Sequence, residues 1–289
     1  MTRSLLTLAL ALTAASLTAP AAPAQTGYAQ SGTTQPAKTQ TDNPAEMVQA
    51  RLLPGWTAQD GSHVAALHLT LAPGWKTYWR APGDAGIPPT MDLQGSHNLA
   101  AVTPVWPTPD VFLQNGMQTV GYAEQLVLPL QIAPQNTAQP ARIAGRMQIG
   151  ICSTICVPVD LDFALDLPAR GSDPQQAMIK AALADQPLTA ARADVGTVAC
   201  TLSPISDGLG LTVTIDMPSA GGPETVLIET ADPLVWVAET ASTRQGGTLT
   251  ATTELVHVSG QAFALDRSGL RMTVLGADRA VDIWGCTSN

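Results

Sequence analysis

Between Val64 and Leu71 apolar and polar positions alternate, with Leu67, Leu69 and Leu71 on one side and His68 and Thr70 on the other. Successive side chains of an extended backbone point to opposite faces, so this pattern predicts a half-buried strand, and His68 is read as pointing off its far face. Pro73-Gly74 ends it. The same period returns at 160–167, where Leu161, Phe163, Leu165 and Leu167 share a face, and apolar runs at 102–106, 126–132 and 141–149 predict further strands. Downstream the segments 209–217, 224–228, 235–238, 254–258, 270–275 and 279–284 read the same way, separated by Gly, Pro, Asp and Ser. A single convincing helix opens at Ser172-Asp173-Pro174 and runs to about Ala184; Asp173 can cap its first N–H groups, and Met178, Ala181 and Ala182 give it an apolar side. Short strands without intervening helices favour β-sandwiches over a repeated βα fold. The expected architecture is all-β, two sandwich units joined by a short helix-containing linker. The expected boundaries are 1–24 for a signal peptide, 25–44 for a flexible leader, 45–170 for the first unit, 171–189 for the linker and 190–289 for the second unit.

The signal peptide is read from Arg3, the apolar run Leu5 to Leu12 and the small-x-small site Ala22-Pro23-Ala24 before Gln25. A retained anchor needs about 20 apolar residues, and this stretch is too short and too rich in Thr and Pro. No later window reaches that length without charge or proline, so export to an oxidising compartment without stable membrane insertion is expected. The chain is 45% hydrophobic and 13% charged, which suits a packed core. Its net charge of −9 excludes nucleic acid as a natural partner and leaves no basic face for anionic lipid.

Candidate chemistry rests on four cysteines. Cys152 and Cys156 stand in Gly150-Ile151-Cys152-Ser153-Thr154-Ile155-Cys156-Val157-Pro158. On one extended strand they would be about 13 Å apart. A disulfide requires Cα atoms about 4.4 to 6.8 Å apart, so a tight loop is expected between two strand segments, and Pro158 argues against a helix there. From the pattern alone the pair admits three readings: a redox-active pair, an inert bond in a binding or assembly protein, or a soft copper site completed by Met117, Met147 or His97. The only histidines are His63, His68, His97 and His257, and no compact Cys/His ligand set is present. Cys200 and Cys286 bracket the second unit and are expected to form a structural disulfide, worth about 4 to 5 kcal/mol in the chain-entropy model.

The stretch Gly150 to Pro158 resembles the N-terminal exported domain of the thiol:disulfide interchange protein DsbD, and especially its ScsB-type relatives. The resemblance extends to Gly74-Trp75-Lys76-Thr77-Tyr78-Trp79-Arg80-Ala81-Pro82-Gly83-Asp84-Ala85-Gly86-Ile87-Pro88-Pro89, to Trp106-Pro107 through Gly121-Tyr122, and to Leu128-Pro129-Leu130. It covers about residues 45 to 167, and the later unit is similar to the extra β-domain of longer relatives. It implies an immunoglobulin-like sandwich that passes reducing equivalents in the periplasm without cofactor or metal. Cys156 would be the outer nucleophile and Cys152 its resolving mate, with Phe112 and Leu113 approximating a shielding cap. The family places more residues between its cysteines than the three found here.

No Lys or Arg lies in the pair's immediate sequence, so Arg80 or Arg146 would have to approach in space, with Tyr78, Tyr122 and Asp84 at the rim and Pro158 beside the outer sulfur. The family's multi-span membrane and thioredoxin-like domains have no counterpart in this sequence. A separate membrane or periplasmic thiol donor and a periplasmic disulfide-containing acceptor are therefore the expected partners. Metal-stress protection and cytochrome maturation are the contexts the resemblance implies.

Overall fold

Twenty strands and two α-helices build the fold, in a computed structural model that describes residues 44–114, 116–167 and 176–288. The expected signal peptide, nearly all of the leader, Asn115 and the helix opening at Ser172-Asp173-Pro174 lie outside the described residues. A short helix α1 (Pro44–Met47) leads into β1 (Val48–Thr57), β2 (His63–Leu71), β3 (Lys76–Tyr78), β4 (Thr90–Asp92), β5 (Leu99–Pro104), β6 (Asp110–Gln114), β7 (Met117–Ala123), β8 (Gln125–Pro134), β9 (Ala141–Cys152) and β10 (Cys156–Leu167). One sheet has the order β1-β2-β8-β5 and the other β10-β9-β3-β7-β6, with β4 beside β9. Leu67 and Leu69 of β2 and Leu128 and Leu130 of β8 meet Ile143, Met147, Ile149 and Ile151 of β9 between the two sheets. The alternation seen in the sequence is therefore the inward face of a sandwich.

After α2 (Gln176–Ala184) come β11 (Leu188–Thr189), β12 (Val198–Pro204), β13 (Leu209–Asp216), β14 (Thr225–Glu229), β15 (Val235–Val237), β16 (Ala241–Gln245), β17 (Thr248–His257), β18 (Arg271–Leu275), β19 (Ala280–Trp284) and β20 (Thr287–Ser288). They form the sheets β11-β19-β18-β14 and β15-β17-β13-β12-β20, with β16 alongside β17. Val213, Ile215 and Leu255 on one sheet face Val226, Met272, Val274 and Val281 on the other. The fold is thus all-β, of immunoglobulin-like sandwiches, and α2 lays Ile179 against Leu53 and Ala66 on the outer face of the first sheet.

Two features depart from the pattern read along the chain. Strand β1 runs through Pro54-Gly55, which the sequence marks as a break, because a bulge between Leu53 and Trp56 absorbs them. Gly55 has φ +66°, and a Cβ there would stand 1.8 Å from the Val64 carbonyl oxygen, so only glycine fits. The second departure concerns the core of the first sandwich, which continues into Leu227, Leu275 and Ala280 of the other one.

Candidate functional site

The β9–β10 hairpin fixes the sulfur pair. Its register sets Cys152 opposite Cys156, and the three residues between them close the loop with Ser153 N–H donating to the Ile155 carbonyl at 3.1 Å. The Cα atoms are 4.2 Å apart and the sulfurs are bonded. The two ends of this bond meet different surroundings: Cys152 is 1% exposed, whereas Cys156 is open to solvent beside the half-exposed Ile155.

Strand β3 lies antiparallel to β9, pairing Lys76 with Cys152 and Thr77 with Ile151. Thr77 Oγ1 donates to the Gly150 carbonyl at 2.9 Å and holds the two strands in that register. Period-two alternation then puts Tyr78 on the same face as Cys152. Its hydroxyl stands 2.6 Å from the Cys152 sulfur and 3.1 Å from the Cys156 sulfur. With both sulfurs oxidised, the phenol is the donor.

The ring has room only because position 150 is glycine. A Cβ there would fall 2.8 Å from Tyr78 Cδ2 and 2.6 Å from Ile87 Cβ. Burial pushes the Tyr78 pKa up, so the phenol keeps its proton at neutral pH.

Lys76, also on this face, is nearly buried; its ammonium donates to Thr119 Oγ1 at 3.2 Å and sits 4.9 Å from the centre of the Phe112 ring. Burial lowers its pKa. Phe112 thus reaches back across β7 toward the strand that flanks Cys152, while Leu113, 79% exposed, joins Val111 and Met117 in an apolar fringe on the β6–β7 hairpin.

Several residues expected at the rim lie elsewhere. Tyr122 is a core residue: its hydroxyl donates to the Pro107 carbonyl at 2.8 Å and its ring stacks on Trp106, because β7 pairs it with Thr77 on the inward face. Arg80 is held by the second sandwich. Its guanidinium lies over the Trp79 ring at 3.7 Å and donates to both carboxylate oxygens of Glu229, at 3.1 and 2.9 Å, and to Thr273 Oγ1. The Asp84 carboxylate accepts from the Glu239 N–H at 3.3 Å, again across the interface. Arg146 pairs with Asp162 further along the hairpin. Pro158 sits on β10 opposite Gly150, two positions beyond the outer sulfur.

The suggested soft ligands do not converge. Met147 is in the core, Met117 is on the β6–β7 hairpin, and His97 bridges to Arg142. Among the described residues no group of three or more His, Cys, Asp or Glu side chains gathers to hold a metal. Cys200 and Cys286 form a second bond, with Cα atoms 5.7 Å apart. Sequence reasoning missed Lys76, Thr77, Ile87 and Gly150. The signal available for Lys76 was its place two residues before Tyr78 on one strand face.

Residues 49–168 match the family model described as thiol:disulfide interchange protein DsbD, N-terminal. Among solved structures, the N-terminal periplasmic domain of ScsB from Proteus mirabilis is similar in fold, with a TM-score of 0.63 and 22% sequence identity over 87% of this chain and 96% of that one. No curated protein matches the chain.

Proposed function

Residues 49–168 belong to the DsbD N-terminal domain family, and from that premise we propose that this protein exchanges thiols and disulfides in the periplasm through Cys152 and Cys156. The observation that carries the proposal is the asymmetry of one bond: an exposed Cys156 joined to a buried Cys152 beneath a phenol hydroxyl. In the reduced protein the Cys156 thiolate attacks a disulfide of a periplasmic acceptor, forming a mixed disulfide and releasing the acceptor's other sulfur as a thiolate, which takes up a proton. Cys152, as its thiolate, then attacks the Cys156 sulfur, expels the acceptor's remaining thiolate and restores the intramolecular bond.

A separate thiol donor, membrane-bound or periplasmic, regenerates the pair by attacking Cys156. Cys152 then leaves as the thiolate, with the Tyr78 O–H 2.6 Å from that sulfur to donate as negative charge develops. A second thiolate of the donor attacks the donor sulfur of the mixed disulfide and expels Cys156 as a thiolate. The direction of flow follows the partners' reduction potentials, with about 30 mV shifting the two-electron equilibrium roughly tenfold. No helix among the described residues is long and apolar enough to cross a membrane.

The test is partner trapping with Cys152→Ser in exported material. The expected product is a reducible mixed disulfide through Cys156. Capture by Cys156→Ser alone would reverse the roles of the two sulfurs. No capture by either variant, together with a wild-type pair inert to thiols, would leave the bond structural.

A further inference from the structure

The loop that follows β3 touches both the disulfide and the second sandwich. Tyr78, the last residue of β3, holds its hydroxyl on the two sulfurs. Trp79 N–H then donates to the Val120 carbonyl at 3.0 Å, and Val120 N–H donates to the Pro82 carbonyl at 2.9 Å, so the segment stays on β7 before it turns. It comes back to set Ile87 in the slot beside Gly150, next to the Tyr78 ring. Tyr78 and Ile87 thus lie over the face of β9 that carries the buried Cys152.

The middle of this loop is fastened to the other sandwich by polar groups. Arg80 makes its two-pronged contact with Glu229 of β14, adds Thr273 of β18, and stands 4.0 Å from Asp282 of β19; Asp84 accepts from the Glu239 N–H. Between these ties a cleft of about 290 Å³ separates Ala81, Pro82 and Gly83 from Val226, Ile228 and Trp236. The loop is therefore not packed flush against the second sandwich, and the Arg80–Glu229 pair is its two-pronged charged tie to that sandwich. That pair is largely removed from water, with side-chain exposures of 13% and 24%, and its planar fork fixes direction as well as distance.

We propose that the second sandwich positions the exchange site: Glu229, acting through Arg80, holds the 79–87 loop so that Tyr78 and Ile87 cover Cys152 and leave only Cys156 open to attack. This rests on reading Cys152 and Cys156 as an exchanging pair. Arg80 and Glu229 are positioning residues and touch neither sulfur.

The test uses the full chain and reduced glutathione. The glutathione thiolate attacks one sulfur of the bond, the other departs as a thiolate, and rapid alkylation followed by peptide mass analysis reports which cysteine carries the adduct. In the wild type the adduct is expected on Cys156. Glu229→Ala is expected to raise the share on Cys152 about fivefold, the size of a coupling between contacting groups, and the isosteric Glu229→Gln to raise it less. Ile87→Ala removes part of the cover directly, so adding Glu229→Ala to it should raise the Cys152 share by less than Glu229→Ala does in the wild type. The Cys200–Cys286 bond, read in the same digests, should stay intact and reports that the fold is retained. An unchanged adduct position in both Glu229 variants, with a wild-type pair that does exchange, overturns the positioning role alone. A wild-type pair that forms no adduct on either sulfur overturns the exchange reading and this inference with it.

Discussion

Cys152–Cys156 bridges facing residues of one hairpin four positions apart, whereas Cys200–Cys286 ties positions 86 apart across the second sandwich. The longer bond leaves Cys200 on β12 within a hydrophobic core, and Cys286 packs against that core. The shorter one joins an exposed Cys156 to a buried Cys152, with one hydroxyl set against both sulfurs. In the chain-entropy model a closure this short stabilises the fold by about 2 kcal/mol and the long one by about 4 to 5 kcal/mol. A bond that contributes little to the fold can open and close without unfolding it. The difference teaches that placement and loop length, rather than the cystine itself, separate a bond suited to exchange from one suited to bracing.

That contrast can be broken most directly by removing each bond. Cys200→Ser with Cys286→Ser is expected to lower unfolding free energy by about 4 kcal/mol, against about 2 kcal/mol for Cys152→Ser with Cys156→Ser. Denaturant unfolding measures both, and equal losses would erase the distinction.

A smaller effect sharpens the local side of the comparison. Gly150→Ala puts a methyl group into the slot filled by Tyr78 and Ile87, which is expected to cost about 1 to 3 kcal/mol and to displace the hydroxyl from the sulfurs. A variant with wild-type stability and exchange rate would show that the slot is loose.

Tyr78→Phe should leave stability nearly unchanged yet slow reduction of Cys152–Cys156 by about tenfold, the size of a hydrogen bond to a charged group. Because burial raises the Tyr78 pKa, the phenol stays protonated up to at least its ordinary value of about 10, so the ratio of wild-type to variant rates should stay level from about pH 6 to about pH 9. A ratio that collapses within that window, followed by stopped-flow thiol exchange, would place the titration on another group.

Much of the fold was legible because it is written locally. Alternation at 64–71 and 160–167 gave strands β2 and β10, and two cysteines four apart before a proline gave the hairpin. What escaped depends on distant partners. Arg80 carries no local sign that its counter-charge lies 149 residues away, and Tyr122 looks like any rim aromatic until β7 turns it inward. Strand β16, Ala241–Gln245, has an exposed polar face and among the described residues pairs along β17 alone, so its sequence lacks the apolar period that marks a core strand. At the site, the sulfurs were visible in the chain, but the slot at Gly150 was not, since a glycine's function there is the ring and methyl groups it lets in.

The shared apolar seam at Leu227, Leu275 and Ala280 has a practical consequence for anyone dissecting this molecule. Cutting the chain after the stretch that matches the family would bare a greasy flank and strand a guanidinium on an indole without its counter-ion. Such a fragment would tend to cling to copies of itself, so the border drawn by kinship is a poor place for the scissors.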